Sequence, residues 1–336
     1  MNSRLPWLGD GRCPLFLAPM ARYTDAAYRQ LCKENGADVM TTEFVMCESL
    51  LRGNESAWRT LDFTEEQRPM GVQLFGSDPA RMAEAAAAVE ERLAPDFLDI
   101  NCGCPADKVT DQHAGSSLLR DPVRLEGIVA ATRKALKRVP LTVKIRIGWD
   151  EQSINALEVG RRVEAAGAEA LAIHGRTKQQ GYRGDADWGV IAEVARTLRI
   201  PVIGNGNLES VERAQWAMDE TPVAGLMIGR GAMGYPWIFR EIKHALATGE
   251  TLSPPALEER WATVFRLCDL IRHFRPDRPP ERGIGWMRAK LKALTTGMPG
   301  VKKLRPQMDR MQTLDELRDI ADRHLNFWRA KEASVA

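Results

Sequence analysis

The sequence predicts an α/β protein: a (β/α)8 TIM barrel followed by a small C-terminal all-α helical domain. Three observations lead there. Eight short, largely apolar runs recur through roughly the 250 residues that such a barrel needs, as strands buried on both faces would. Segments of helical period separate them, and this alternation is the mark of parallel βα units. No G-x-G-x-x-G follows the first run, which weighs against an open, doubly wound dinucleotide-binding sheet.

The predicted strands, in order, are "LFLAPM" (15–20), "VMTTEFV" (39–45), "MGVQLFG" (70–76), "FLDINCG" (97–103), "LTVKIRI" (141–147), "ALAIHGR" (170–176), "PVIGNGN" (201–207) and "GLMIGRG" (225–231). Helical period fills the gaps: "DAAYRQLCKENG", "DPARMAEAAAAVEERL", "DPVRLEGIVAATRKAL", "INALEVGRRVEAAG", "WGVIAEVARTLR", "ESVERAQWAMDE" and "PWIFREIKHALATG". Several open on Asp-Pro or close on Gly, the usual asymmetry of helix caps. The stretch "ATGETLSPPALEER" (247–260) breaks the pattern, since two prolines after a glycine cannot continue a helix. Helical period resumes at "LEERWATVFRLCDLIRHF" and at "LDELRDIADRHLNFW". The chain therefore divides into a barrel domain, 1–248, and a helical domain, 256–336.

Composition bounds the function classes. A chain of 336 residues, 44% hydrophobic and 27% charged, can bury a large core. The opening "MNSRLPWLGDGRCP" has no basic start followed by an apolar run, and no apolar stretch approaches the ~18 residues of a membrane span. A cytoplasmic protein without membrane partners is expected, and nothing indicates an oligomer. Cysteines 13, 32, 47, 102, 104 and 268 are too scattered for a disulfide framework. The spacing of Cys102 and Cys104 is not that of structural zinc, and the five histidines do not gather beside it, so no metal is expected.

In a barrel of this kind, function collects where strands end and the next loops begin. The strand ends here carry Met20, Glu43, Gln73, Asn101, Lys144, His174, Asn205 and the pair Gly229 and Arg230. Singly, each has an ordinary structural explanation. Eight on one barrel mouth point to a site. The "GNGN" (204–207) and "IGRGAMG" (228–234) stretches put small residues and Arg230 where the fold commonly cradles phosphate. Lys144 adds a cation able to balance a reduced flavin, and the Gln73 amide can meet a ring edge. Flavin mononucleotide (FMN) is the expected ligand.

The motifs "APM", "TEF", "VQLFG", "DINCGCP", "VKIRIGW", "IHGRT", "IGNGN" and "MIGRGAMGYPWIFREI" resemble, in order and spacing, those of the tRNA-dihydrouridine synthases, FMN enzymes that reduce uridine in RNA. The likeness is strong over residues 14 to 245 and weaker beyond. It implies cofactor contacts at Pro19, Met20, Gln73, Lys144, His174, Asn205, Gly206, Gly229 and Arg230, a catalytic cysteine at Cys104, and NADPH as reductant. Asn207 stands where many members have a carboxylate, and is expected to bond the cofactor as an amide.

That resemblance gives Cys104 a chemical role. Reducing the C5–C6 bond of uracil takes a hydride at C6 and a proton at C5. A thiol with an ordinary pKa near ~8.5 is protonated at neutral pH and suits the second task. Cys102 reads as packing. Asn101 is expected at the uracil edge, and Arg146, Arg176 and Lys178 where an RNA backbone would pass. Residues 251–336 hold 17 Lys and Arg against 11 Asp and Glu, while the rest of the chain holds 30 against 34. Most of the excess lies in 272–310, and there Lys302, Lys303 and Arg305 are expected to contact tRNA. A flavin barrel acting on a free pyrimidine, of the dihydroorotate dehydrogenase kind, would not need that basic tail. A non-catalytic RNA-binding barrel would not need Cys104, Lys144 and His174 together.

Overall fold

The computed structural model describes residues 4–8, 13–280 and 284–334. Half of the N-terminal stretch read above, and residues 281–283 of the basic segment, lie outside the described residues. Among the described residues, nine parallel strands form the sheet: β1 (Leu15–Leu17), β2 (Val39–Thr41), β3 (Val45–Met46), β4 (Met70–Phe75), β5 (Phe97–Cys102), β6 (Leu141–Arg146), β7 (Ala170–His174), β8 (Val202–Asn205) and β9 (Gly225–Ile228). Pairing of β1 with both β2 and β9, and of β2 with β4, closes eight of them into a barrel. The ninth, β3, continues the line of β2 along the far end of β4, with Val45 opposite Leu74.

The second predicted strand is thus two pieces. The cause is Thr42, whose hydroxyl accepts the Gln73 backbone N–H at 3.1 Å, so a side chain replaces the carbonyl that would continue the ladder. Other strands stop one to three residues earlier than the sequence suggests. Past Ile228 the chain turns into a short 3-10 segment, Arg230–Ala232, because a loop is needed there.

Helices cover the barrel as the caps dictate. Asp25, Asp78, Asp121, Asp187 and Ser210 each accept a first-turn backbone N–H, at the heads of Ala26–Glu34, Pro79–Leu93, Pro122–Ala135, Trp188–Thr197 and Val211–Glu220. Each such cap contributes about 1 kcal/mol. The lower barrel is filled by Phe16, Val39, Phe97, Ala170, Ile203 and Met227, with Leu5 and Leu8 packed beneath.

Gly249, at φ +75°, ends the helix Ile238–Thr248, and no regular element follows until Leu257–Phe274. Helices Arg288–Leu294, Val301–Arg310 and Leu314–Ala333 complete the C-terminal part. Trp261, Leu267, Leu291, Met308 and Leu317 there join one core with the barrel helices. Ion pairs tie the two parts: Arg266 with Glu34 at 2.6 Å, Arg240 with Glu259 at 2.5 Å, and Lys290 with Asp25 at 2.5 Å.

Candidate active site

A cavity of 490 Å3 opens at the C-terminal ends of the barrel strands. Its wall brings together Pro19 and Met20 after β1, Asn101 and Cys104 from β5 and its loop, and Lys144 and Arg146 from β6. His174 and Arg176, Asn205 to Asn207, and Gly229 and Arg230 complete the circuit. Such volumes suit a nucleotide-sized ligand.

The Cys104 loop is held from three directions. Asn101 Oδ1 accepts the backbone N–H of Gly103 at 3.1 Å and of Cys104 at 2.9 Å. Arg146 Nε donates to Gly103 O at 2.9 Å, and Ser116 Oγ to Cys104 O at 2.8 Å. The last contact requires Gly115, at φ +61°, because a Cβ there would sit 3.0 Å from Cys104 O. Burial pushes the Cys104 thiol upward, against the pull of the Ala106 N–H and the cations Arg146, Lys108 and Lys144. The thiol is therefore protonated at neutral pH. Cys102, fully buried and pushed further up by burial, packs in the core as expected of it.

Cations dominate the wall beside this loop, where Lys144 of β6 is the register partner of Asn101. Lys144 Nζ lies 3.3 Å from Asn205 Oδ1, whose Nδ2 donates to Met227 O at 2.6 Å. Burial, then Arg146, lowers the Lys144 pKa to about 8. Burial also holds His174 well below its ordinary range, with Arg146, Lys144, Arg176 and Arg230 adding to the effect. The imidazole is neutral. Because the Arg176 guanidinium 3.2 Å from His174 Nε2 can only donate, Nε2 accepts and the ring proton resides on Nδ1. Arg230 pairs with Glu209 at 3.3 Å at the cavity edge. Gly206, at φ +131°, has no room for a side chain: a Cβ would lie 2.5 Å from Ala186 Cβ. Asn207 lines the cavity, with its Oδ1 taken by Arg176 Nη2 and Ala186 N, both at 2.8 Å.

Two groups of expected residues, Gln73 and the pair Arg146 and Arg176, are more buried than the sequence suggests. Gln73 is fully buried one layer below the cavity, its amide held by Asp99 Oδ2 at 2.6 Å and Asn101 Nδ2 at 2.8 Å. Arg146 and Arg176, expected to face a polyanion, are 2% and 1% exposed. Their donors are committed to loop carbonyls: Thr177 O and Gly181 O at 2.8 Å for Arg146, and Gly184 O at 2.7 Å for Arg176. They brace the mouth and charge the cavity from within its wall. Lys178 lies over the Trp149 ring, 4.8 Å from its centroid, and pairs with Asp107 at 3.3 Å. Lys302, Lys303 and Arg305 are exposed on the helix Val301–Arg310, outside the cavity.

Two residues of the site escaped sequence reasoning. Tyr182, 58% exposed, carries Arg230 and Arg146 over its ring at 5.0 and 5.6 Å. A single aromatic in a polar loop has no periodic signal. Asp99, in the middle of β5, was hidden by the strand's apolar character, although the polar alternation of "DIN" places it on the same face as Asn101.

The arrangement holds a protonated thiol, a neutral imidazole and an ammonium around one anion-favouring cavity. Among known proteins, the family model described as dihydrouridine synthase (Dus) matches residues 16–330. The chain is 40% identical over 305 residues to "tRNA-dihydrouridine synthase B" of Pseudomonas aeruginosa, covering 90% of this chain and 89% of that protein. It is 42% identical over 276 residues to the protein of the same name in Xanthomonas axonopodis pv. citri, covering 81% and 82%. Histamine dehydrogenase from Rhizobium sp. 4-9 superposes with a TM-score of 0.54 at 13% identity, over 80% of this chain and 51% of that one. TcOYE with pHBA gives 0.51 at 12%, over 79% and 95%. These two structures share the barrel fold.

Proposed function

This chain belongs to the dihydrouridine synthase family, and from that premise we propose that it reduces the C5–C6 double bond of uridines in tRNA to 5,6-dihydrouridine, using FMN, NADPH as reductant and Cys104 as proton donor. The observation that carries the reading is the Cys104 thiol. It stands on the cavity wall, fixed by Asn101, Arg146 and Ser116, and is kept protonated by burial.

The residues of the cavity fit a flavin nucleotide. Lys144, Arg146, Arg176 and Arg230 line a wall on which Glu209 is already paired with Arg230. The closely packed loop at Gly206 and the loop of Gly229 and Arg230 suit a phosphate, as glycine-rich turns do by letting backbone approach. Lys144, His174 and Asn205, with Pro19 and Met20, would hold the ring. When bound and reduced, the flavin supplies the hydride to uracil C6. Lys144 holds positive charge where negative charge would collect, and Asn205 Oδ1 orients its ammonium. His174 contributes an Nδ1–H donor without a second charge. Cys104 Sγ–H delivers the proton to C5, and the loop bonds keep the thiol in place for it.

The barrel, 1–248, is the FMN-binding catalytic domain on this proposal, and 256–336 the domain that grips tRNA. Lys302, Lys303, Arg305 and Lys178 are the proposed backbone contacts, and Asn101 is the proposed neighbour of the uracil edge. A free pyrimidine is the second reading. The charge surplus of residues 251–336 favours RNA over it.

The decisive experiment replaces Cys104 by alanine. Flavin content and flavin reduction by NADPH should match the parent, while reduction of tRNA uridine by the pre-reduced enzyme falls at least 100-fold, within the ~10²–10⁴-fold usual for a positioned acid. Cys102→Ala should be far milder. Parental uridine reduction by the Cys104 variant would remove the acid from this site.

A further inference from the structure

Beneath the Cys104 loop, three neighbouring strands contribute one layer of polar side chains. Gln73 of β4 is opposite Asp99 of β5, which is opposite Thr142 of β6. Asp99 and Gln73 are 4% and 0% exposed, so each donor and acceptor must be matched within the layer. Asn101, two residues along β5, lies above them on the same face.

The donor and acceptor order leaves no freedom. The N–H groups of Gly103 and Cys104 can only donate, so Asn101 must turn Oδ1 to them and Nδ2 downward. Nδ2 meets Gln73 at 2.8 Å, so Gln73 must present Oε1 there and Nε2 on its other side. Nε2 meets Asp99 at 2.6 Å, so the foot of the chain must accept. Asp99 is that acceptor, and its second oxygen takes the Thr142 hydroxyl at 2.5 Å.

We propose that Asp99 is a positioning residue for Cys104: by accepting from Gln73 it fixes the orientation of two amides, and thereby the loop that carries the thiol. As far as catalysis is concerned, this rests on the reading of Cys104 as the acid. The orientation chain itself does not.

Gln73→Glu keeps the shape and removes the donor that Asp99 accepts, placing two carboxylates face to face. Adding Asp99→Asn restores the order, because the introduced carboxylate then accepts from the new amide on one side and from Asn101 on the other. Asp99→Asn alone should be mild, since a hydroxyl both donates and accepts: Thr142 can accept from the new amide and donate to Leu98 O, 3.5 Å away, which leaves the amide oxygen for Gln73 Nε2.

Two readouts test this. In flavin-stripped protein, iodoacetamide labelling of Cys104, followed by mass spectrometry, should accelerate at least fivefold in Gln73→Glu and return to within twofold of the parent in the double variant. In pre-reduced holoenzyme, uridine reduction should fall at least tenfold in Gln73→Glu, and the double variant should recover most of it. Unchanged labelling in Gln73→Glu, or a double variant no better than it, overturns the proposal. If either single variant fails to accumulate as folded protein, the double variant must restore folded, flavin-loaded protein, and its failure to do so overturns the proposal equally. Cys104→Ala run alongside separates the two readings. Parental turnover there would sink the acid assignment, whereas the labelling rates judge the orientation chain alone.

Discussion

Lys144 is expected to cost the protein stability that its function requires. Its pKa falls from the ordinary 10.5 to about 8, chiefly because burial penalises the ammonium. Below pH 8 the folded and unfolded chains both hold the proton, and folding carries the whole cost, about 3 kcal/mol. Between about pH 8 and 10.5 the unfolded chain holds a proton that the folded one has released, so stability rises with pH. Lys144→Met keeps most of the stem and abolishes the charge. It also strands Asn205 Oδ1, now 3.3 Å from the ammonium, which costs about 1 kcal/mol. The net expectation is a flavin-stripped variant about 2 kcal/mol more stable than the parent at pH 7, with the gain almost gone at pH 9.5. Urea unfolding at the two pH values measures it, and flavin retention by the same variant should fall. A variant less stable than the parent at pH 7, or a gain that ignores pH, would refute the reasoning.

Arg230→Gln should weaken FMN binding at least tenfold while leaving riboflavin, which lacks the phosphate, within about twofold, as titration of the stripped protein would measure; equal losses for both would place Arg230 away from the phosphate. Replacing Lys302, Lys303 and Arg305 together by alanine should weaken tRNA binding and flatten its dependence on salt, because fewer counterions are released, while NADPH oxidation without RNA stays parental. An unchanged salt slope would make these charges a solvated surface.

The barrel was legible because parallel strands buried on both faces leave a coarse, repeated signal that loops and helices do not imitate. The cavity wall was legible for a related reason: a polar residue at the end of an apolar strand has little else to do. Height within the barrel was not legible. Gln73 and Asn101 are both strand-end amides one strand apart, yet one lies under the cavity and the other on its wall. Nor could the sequence say where a long side chain turns. Arg146 and Arg176 follow strand ends, as a surface cation might, but the loop carbonyls of Gly181 and Gly184 draw both inward. Lys178 finds Asp107 across 71 residues of sequence, a pairing no local pattern contains.

The same layering resolves a conflict inside the site. A cavity rich in cations favours an anionic ligand, but cations also favour thiolate, and Cys104 must keep its proton to serve as the proposed acid. Arg146, Lys108 and Lys144 all pull the thiol down, and burial outweighs them. The margin depends on the loop staying closed over Cys104, because a solvated thiol among three cations would lose its proton more readily. Asn101, Ser116 and Arg146 therefore act on proton supply as well as on position. Any ligand that neutralises Lys144 weakens one of the three pulls and raises the thiol further. On the proposed function, a filled cavity thus holds a more firmly protonated Cys104 than an open one.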